Sequence, residues 1–277
     1  LQRDLIKFSH GGYDFRGISE GGIRTSIALP SRNILFDIGN LPIDFIHIEN
    51  VFVTHGHLDH SNGIPYFISQ RSLKNLPKPK IYITEEMYSP LNQILELYQK
   101  IEEFTYSYDL IPVVKNQLTS LDKNLFYKAI PTHHRIPSVG YTIFEKVFKL
   151  KPEFSNLPKE KIISMKSEGQ VFTEEKIHPI ISFSGDTKIE YVLENEDVQK
   201  SKILFLECTY LDSKRDVERA RQWGHLHLDE IVANHKEFRN EKLVLIHFSK
   251  RYQPKEIKEL VYSKLPQGLK ERTVCLI

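Results

Sequence analysis

Seven residues constrain this chain more than any others: His55-Gly56-His57-Leu58-Asp59-His60-Ser61, directly after the apolar run Val51-Phe52-Val53. Three imidazoles and a carboxylate lie within six positions there, and they supply the nitrogen and oxygen ligands that zinc and similar divalent cations prefer. Crowded this closely, they would repel one another if protonated and go unpaired if buried and neutral. A solvated cluster without function is therefore a poor account of them. In an extended segment alternate residues share a face, which predicts that His55, His57 and Asp59 point one way. His60 then faces the other way, toward a second ion.

The 277 residues suffice for a substantial core, as one large domain or as two fused halves. Apolar residues make up 40% and charged residues 27%, with a mean hydropathy of −0.36. That balance fits a globular protein in water, and no apolar run approaches the ~20 residues that span a bilayer. The opening residues Leu1-Gln2-Arg3-Asp4-Leu5-Ile6 lack the hydrophobic region of a signal peptide and read as a first strand. Cys208 and Cys275, neither in a CxxC pair, form no disulfide framework and suit a reducing compartment. The cytoplasm is the expected location. Net charge is +2 and the pI near 8.3, so any nucleic-acid contact must rest on local basic patches.

Short apolar strands fill the first third: Ser26–Leu29, Ile34–Asp37, Val51–Thr54 and Ile81–Thr84. A helix is expected after the histidine cluster, with Gly63-Ile64-Pro65 just inside it. Ser89-Pro90 predicts a second helix start, with Ser89 as N-cap. Leu91, Ile94, Leu95, Tyr98 and Ile101 then give it one apolar face. In the second half Ile180–Phe183, Ile203–Leu206 and Leu243–Ile246 read as buried strands, with a helix from Asp229 to Phe238 between the last two. No internal repeat is visible. Strands in both halves with helices interspersed predict an α/β protein of two packed sheets covered by helices.

Each later buried strand ends in a residue able to bind metal or move protons. Phe183 is followed by Ser184-Gly185-Asp186-Thr187, Leu206 by Glu207-Cys208-Thr209, and Ile246 by His247. Earlier, Lys128-Ala129-Ile130 leads toward His133-His134-Arg135. Singly, each has an ordinary explanation as a turn former or a surface histidine. Together with residues 55–60 they supply the carboxylate and two imidazoles that a two-metal site still needs.

These residues resemble the metallo-β-lactamase fold hydrolases, marked by HxHxDH after a strand, as in His55 to His60. Within them the chain resembles the ribonuclease Z family, compact short forms such as those of plants. The narrower likeness rests on His134-Arg135-Ile136-Pro137-Ser138-Val139-Gly140-Tyr141, Ser184-Gly185-Asp186-Thr187, Gly224-His225 and His247-Phe248-Ser249-Lys250-Arg251-Tyr252, in order from about Gly21 to Tyr252. It implies a four-layer αβ/βα metallo-β-lactamase fold over residues 1–277, built from two αβ halves. Two zinc ions are implied, with manganese or iron as chemically acceptable substitutes. His55, His57 and His134 would hold one ion, and Asp59, His60 and His247 the other. Asp186 would bridge them beside a shared hydroxide, and Asp37 would brace the histidine loop.

The implied activity is removal of the 3′ trailer from precursor tRNA, leaving a 3′-hydroxyl on the tRNA. The shared hydroxide would attack, Asp59 would take its proton, and His225, oriented by Glu207, would protonate the leaving oxygen. Arg135, Ser138, Thr187 and Arg251 are the expected substrate contacts, and a homodimer is implied. Further basic stretches, Arg71, Lys74, Lys78 and Lys80, then Lys146, Lys149 and Lys151, then Lys159, Lys161 and Lys166, are candidate phosphate contacts or solvated faces. His10, His47, His133, His178, His227 and His235 receive no role.

Two segments depart from the family pattern. Residues 142–183 hold a single glycine, Gly169, where many members carry an arm with a glycine- and proline-rich tip. Gly21-Gly22-Ile23-Arg24-Thr25 replaces the usual glycine-rich opening with its small-residue run. The sequence also admits a hydrolase of the same fold acting on a small phosphodiester or another ester. A catalytically silent RNA-binding relative is the third reading, but it would have no need of the full ligand set.

Overall fold

Side chains alternate along the strands, and this alternation divides the apolar residues among three layers. The computed structural model describes residues 5–154, 157–167 and 171–277. The expected strand start at Leu1–Asp4, the side chains of Lys159 and Lys166, and Gly169 lie outside the described residues. One sheet runs in chain order through β1 (Ile6–His10), β2 (Tyr13–Glu20), β3 (Arg24–Leu29), β4 (Ile34–Phe36), β5 (Asn50–Phe52), β6 (Lys80–Ile83) and β7 (Asp109–Pro112). The other holds β8 (Leu118–Ser120), β9 (Leu125–Pro131), β10 (Val139–Leu150), β11 (Thr173–Phe183), β12 (Ile203–Glu207), β13 (Lys242–Ile246) and β14 (Thr273–Cys275), also in order.

Both sheets follow one plan. Strands β1 to β4 pair antiparallel and β4 to β7 parallel. Likewise β8 to β11 pair antiparallel and β11 to β14 parallel. The same topology occurs twice without a sequence repeat.

In β4, Ile34 and Phe36 face the other sheet while Leu35 faces outward; β12 separates Ile203 and Phe205 from Leu204 and Leu206 in the same way. Between the sheets Phe36 stacks on Phe183 at 4.9 Å, and Tyr141 meets Phe52 at 5.0 Å. Each such buried aromatic contributes about 1.5–3 kcal/mol relative to exposure. α1 (Leu58–Ser61) follows β5 at its carboxyl end, and on the outer face of the first sheet lie α2 (Ile64–Leu73) and α3 (Glu85–Glu102). The connection from β10 to β11 carries α4 (Lys159–Ser167). Over the second sheet pack α5 (Glu190–Leu193), α6 (Glu196–Lys200), α8 (Leu228–Ala233), α9 (Pro254–Lys264) and α10 (Gln267–Lys270), and α7 (Val217–Gln222) lies in the connection from β12 to α8. The result is the expected four-layer αβ/βα arrangement.

Three local expectations are corrected. Helix α3 begins at Glu85, not at Ser89-Pro90, and Pro90 lies inside it. β6 ends one residue before the extended Thr84, and Glu85 and Glu86 favour the positive end of the helix. Its buried stripe is only Leu91 and Leu95; Ile94, Leu97, Tyr98 and Ile101 stay exposed. The helix expected over Asp229–Phe238 is α8 followed by a 3-10 turn at His235–Glu237.

The long pair β10–β11 runs from Tyr141 opposite Phe183 to Leu150 opposite Thr173. β9 leaves β10 at Glu145, and β12 pairs with β11 only from Ile181. Among the described residues the outer half of this hairpin therefore has no further strand beside it. An arm does occupy the stretch without a glycine- and proline-rich tip, and it is made of paired strands.

Candidate metal centre

Ligand-bearing residues leave both sheets at the carboxyl ends of strands that run in one direction, where open α/β sheets place their sites. β4 leads to Asp37, β5 to His55, β9 to His134, β11 to Asp186 and β13 to His247, while β12 ends in Glu207. His57 precedes α1, Asp59 and His60 lie in it, and His225 lies between α7 and α8.

Two groups of donors converge. In the first, His57 Nδ1 lies 3.1 Å from His55 Nε2 and 3.2 Å from His134 Nε2. Asp186 Oδ2 stands 3.7 Å from His55 Nε2 and 3.9 Å from His134 Nε2. In the second, Asp59 Oδ2 lies 3.5 Å from His60 Nε2 and 3.4 Å from His247 Nε2. Asp186 Oδ1 faces those same nitrogens at 3.3 and 3.4 Å. One carboxylate thus borders both groups. The expectation from strand alternation fails here: residues 58–61 form a helical turn, so Asp59 joins His60 rather than His55 and His57.

The ring orientations are fixed from outside. Asp37 accepts from His60 Nδ1 at 2.6 Å and from the Thr54 hydroxyl at 3.0 Å. That hydroxyl, its proton committed, accepts from His55 Nδ1 at 3.0 Å. The Gly224 carbonyl accepts from His134 Nδ1 at 2.8 Å. Thr209 donates to Glu207 Oε2 at 2.6 Å and accepts from His247 Nδ1 at 3.0 Å. Four imidazoles therefore carry their proton outward and turn a bare Nε2 inward, and His57 brings its Nδ1 to the same space.

A divalent cation fits this arrangement. Inward lone pairs facing one another within a buried space go unsatisfied without a positive charge between them. Asp186 Oδ1 is also buried and makes no hydrogen bond among the described residues. The chain therefore presents a His/Asp site for a metal cofactor.

At His60 burial opposes the charge, but Asp186 and then Asp37 outweigh it and raise the ring well above the usual imidazole range, so a cation bound there displaces the proton on Nε2. Burial, then repulsion from His60, holds His55 well below the usual imidazole range; burial and His134 lower His57. Burial also opposes charge on Asp186, but His247, His60 and His225 outweigh it and keep the carboxyl well below its ordinary value. Burial would lower His225, yet Glu207 and Asp186 push it up to about 9. Its Nδ1 lies 3.0 Å from Glu207 Oε1. Asp186, His225 and His247 also lie close enough to form a third donor group. His225 stays outside the metal set, because the nitrogen it turns to Asp186 is Nδ1, 3.8 Å away, and the proton there is committed to Glu207.

The expected substrate residues divide. Arg135 and Arg251 are exposed. Ser138 is buried and its hydroxyl pairs with Thr132. Thr187 is buried too; its backbone N–H donates to Glu207 Oε1 at 2.8 Å, so it braces the carboxylate that holds His225. Arg71 is no phosphate contact: it is 1% exposed and donates to the carbonyls of Ile46, Ile48 and Pro77. Lys146 pairs with Glu175 at 3.0 Å. His133 pairs with Glu194 at the surface, and His227 caps α8. Sequence reasoning gave Thr54, Thr209 and the Gly224 carbonyl no role. The sole signal for the first two is a hydroxyl residue one or two positions from His55 and Glu207.

Residues 35–248 match the family model described as a Beta-lactamase superfamily domain. Among solved structures, the metallo-beta-lactamase fold protein YhfI from Bacillus subtilis aligns with a TM-score of 0.63 at 14% identity, covering 94% of each chain. The short form of human tRNase Z aligns with a TM-score of 0.59 at 19% identity, covering 86% of this chain and 93% of that one. In sequence, tRNase Z TRZ1 of Arabidopsis thaliana is 36% identical over 267 residues, 96% of this chain and 95% of the relative. The chain belongs to the tRNase Z family of the β-lactamase superfamily.

Proposed function

We propose that this protein is a zinc-dependent endoribonuclease that removes the 3′ trailer from precursor tRNA and leaves a 3′-hydroxyl on the tRNA. The observation that carries this reading is the shared carboxylate of Asp186 between two groups of inward imidazole nitrogens, in a chain that matches tRNase Z along almost its whole length. His55, His57 and His134 would hold one zinc ion, Asp59, His60 and His247 a second, with Asp186 common to both. The same donors also accept manganese or iron. Bound cations of this kind lower the pKa of a water to make a nucleophile and neutralise the phosphate oxygens.

The chain's own groups handle the protons. Asp59 borders the space between the donors and takes the proton of the attacking water. His225 carries a proton at neutral pH and gives it to the departing 3′ oxygen; Glu207 holds the ring by Nδ1, which leaves Nε2 as the donor. Thr209 and Thr187 in turn fix Glu207. Arg135 and Arg251 are exposed cations suited to RNA phosphates.

A homodimer is part of the proposal. Leu58, Tyr66, Ile94, Leu97, Tyr98 and Ile101 are 42–75% exposed on α1, α2 and α3, and an apolar face of that kind suits a second copy of the chain. The buried free cysteines fit a reducing cytoplasm. Elemental analysis combined with cleavage of a precursor tRNA and of a chromogenic phosphodiester tests the reading. Metal-dependent release of the trailer is expected. Hydrolysis of the small diester with an intact precursor would replace it by a small-molecule phosphodiesterase.

A further inference from the structure

Arg135 and Arg219 share one aromatic ring. The guanidinium carbon of Arg135 stands 4.5 Å from the centre of the Trp223 ring, and that of Arg219 stands 5.3 Å from it. Trp223 is the sole tryptophan of the chain and is 41% exposed, directly after α7. Two cations over one ring repel each other, and the π face offsets only part of that. Among the described residues neither guanidinium forms an ion pair with a carboxylate; Arg219 donates instead to Gln222 Oε1 at 2.8 Å. Arg221 on the same helix differs, being paired with both Glu190 and Glu230. Arg221 is a structural cation, whereas the pair on Trp223 is left with charge for an external anion.

The pair is also fixed relative to the chemistry. Arg135 follows His134 in the chain, and Trp223 lies two residues before His225. Between them Gly224 adopts φ +74°, and a Cβ there would lie 2.9 Å from His134 Nδ1 and 3.1 Å from the Arg135 nitrogen. The two loops meet at the edge of the metal centre, where the Gly224 carbonyl accepts from His134 Nδ1 at 2.8 Å.

We propose that Trp223 is a positioning residue that holds Arg135 and Arg219 as a two-pronged clamp on RNA phosphates beside the scissile one. The proposal rests on the endoribonuclease reading above. Guanidinium groups present planar paired donors that match phosphate oxygens, and a fixed ring sets their spacing.

The test measures precursor-tRNA cleavage at increasing KCl for wild type, Trp223→Ala, Trp223→Phe and Arg219→Ala. The emission of the sole tryptophan is followed on rapid mixing of wild type with the RNA. Trp223→Ala is expected to raise KM about tenfold with a smaller change in kcat, and Trp223→Phe, which keeps a ring, to recover most of it. Arg219→Ala should reduce the salt slope of log(1/KM) by about one. Wild-type emission should change before cleavage. An unaltered KM in Trp223→Ala, or a wild-type salt slope in Arg219→Ala, overturns the clamp. Arg219→Ala alters only an exposed side chain, so the test stands even where Trp223→Ala folds poorly. Wild type that leaves precursor tRNA uncut refutes the parent reading instead, and unchanged emission with bound tRNA then overturns the clamp separately.

Discussion

Glu207 Oε1 lies 3.0 Å from His225 Nδ1, and the carboxylate belongs to the last residue of a buried strand while the ring sits in a loop between helices. The proposed acid and its support thus come from different elements. A raised pKa means that the proton is present below about 9 and lost as pH rises through that value. The kcat profile should therefore fall on its alkaline side near pH 9. Glu207→Gln should move that limb down by about 1–3 units, because an opposing charge at contact distance is removed. His225→Ala should lose about 10²-fold or more in kcat while keeping its metal. Unchanged profiles in both variants would remove His225 from the chemistry.

Asp186 borders both donor groups, so its loss should affect metal content and not only turnover. Asp186→Ala is expected to reduce bound metal, read by elemental analysis after gel filtration. Chelation of wild type should lower Tm, since metal that binds only the folded state stabilises it. A chelated protein that melts where the loaded one does would contradict this.

Thr54 passes the Asp37 carboxylate's hold to His55. Thr54→Val keeps the shape and removes the acceptor for His55 Nδ1–H. A loss of about 10- to 100-fold in metal affinity is expected, as for other supports behind ligating histidines. Competition with a zinc chelator of known affinity measures it.

Exposed apolar side chains on α3 make a separate forecast about assembly. Ile101 is 75% exposed, so Ile101→Glu costs little in the monomer fold but opposes burial against a partner. Sedimentation should show wild type as a dimer and the variant shifted toward monomer. A wild type that sediments as a monomer would remove the assembly from the proposal.

The sequence exposes the candidate ligands because they sit immediately after strands whose residues alternate between two cores. Ile34-Leu35-Phe36 and Ile203-Leu204-Phe205 declare the sheets, and Asp186 and His247 follow at strand ends. What the chain hides is everything that depends on contacts distant in sequence. The Gly224 carbonyl holds His134 from 90 residues away, and Arg71 looks like a surface cation yet ties three carbonyls. The turn at Leu58–Ser61 is also hidden, since four residues carry too little periodicity to separate a helical turn from an extended segment. Ser138 and Thr187 read as contacts for the same reason: composition does not distinguish a hydroxyl facing solvent from one spent inside a loop.

The twice-used strand plan has a last consequence. The first sheet contributes His55, His57, Asp59 and His60, while the second contributes His134, Asp186 and His247. Neither side owns a complete cage for even one ion. A slip of a few ångströms between the two layers would dismantle both pockets at once. Turnover in this protein is therefore a gauge of how faithfully its two sides are docked.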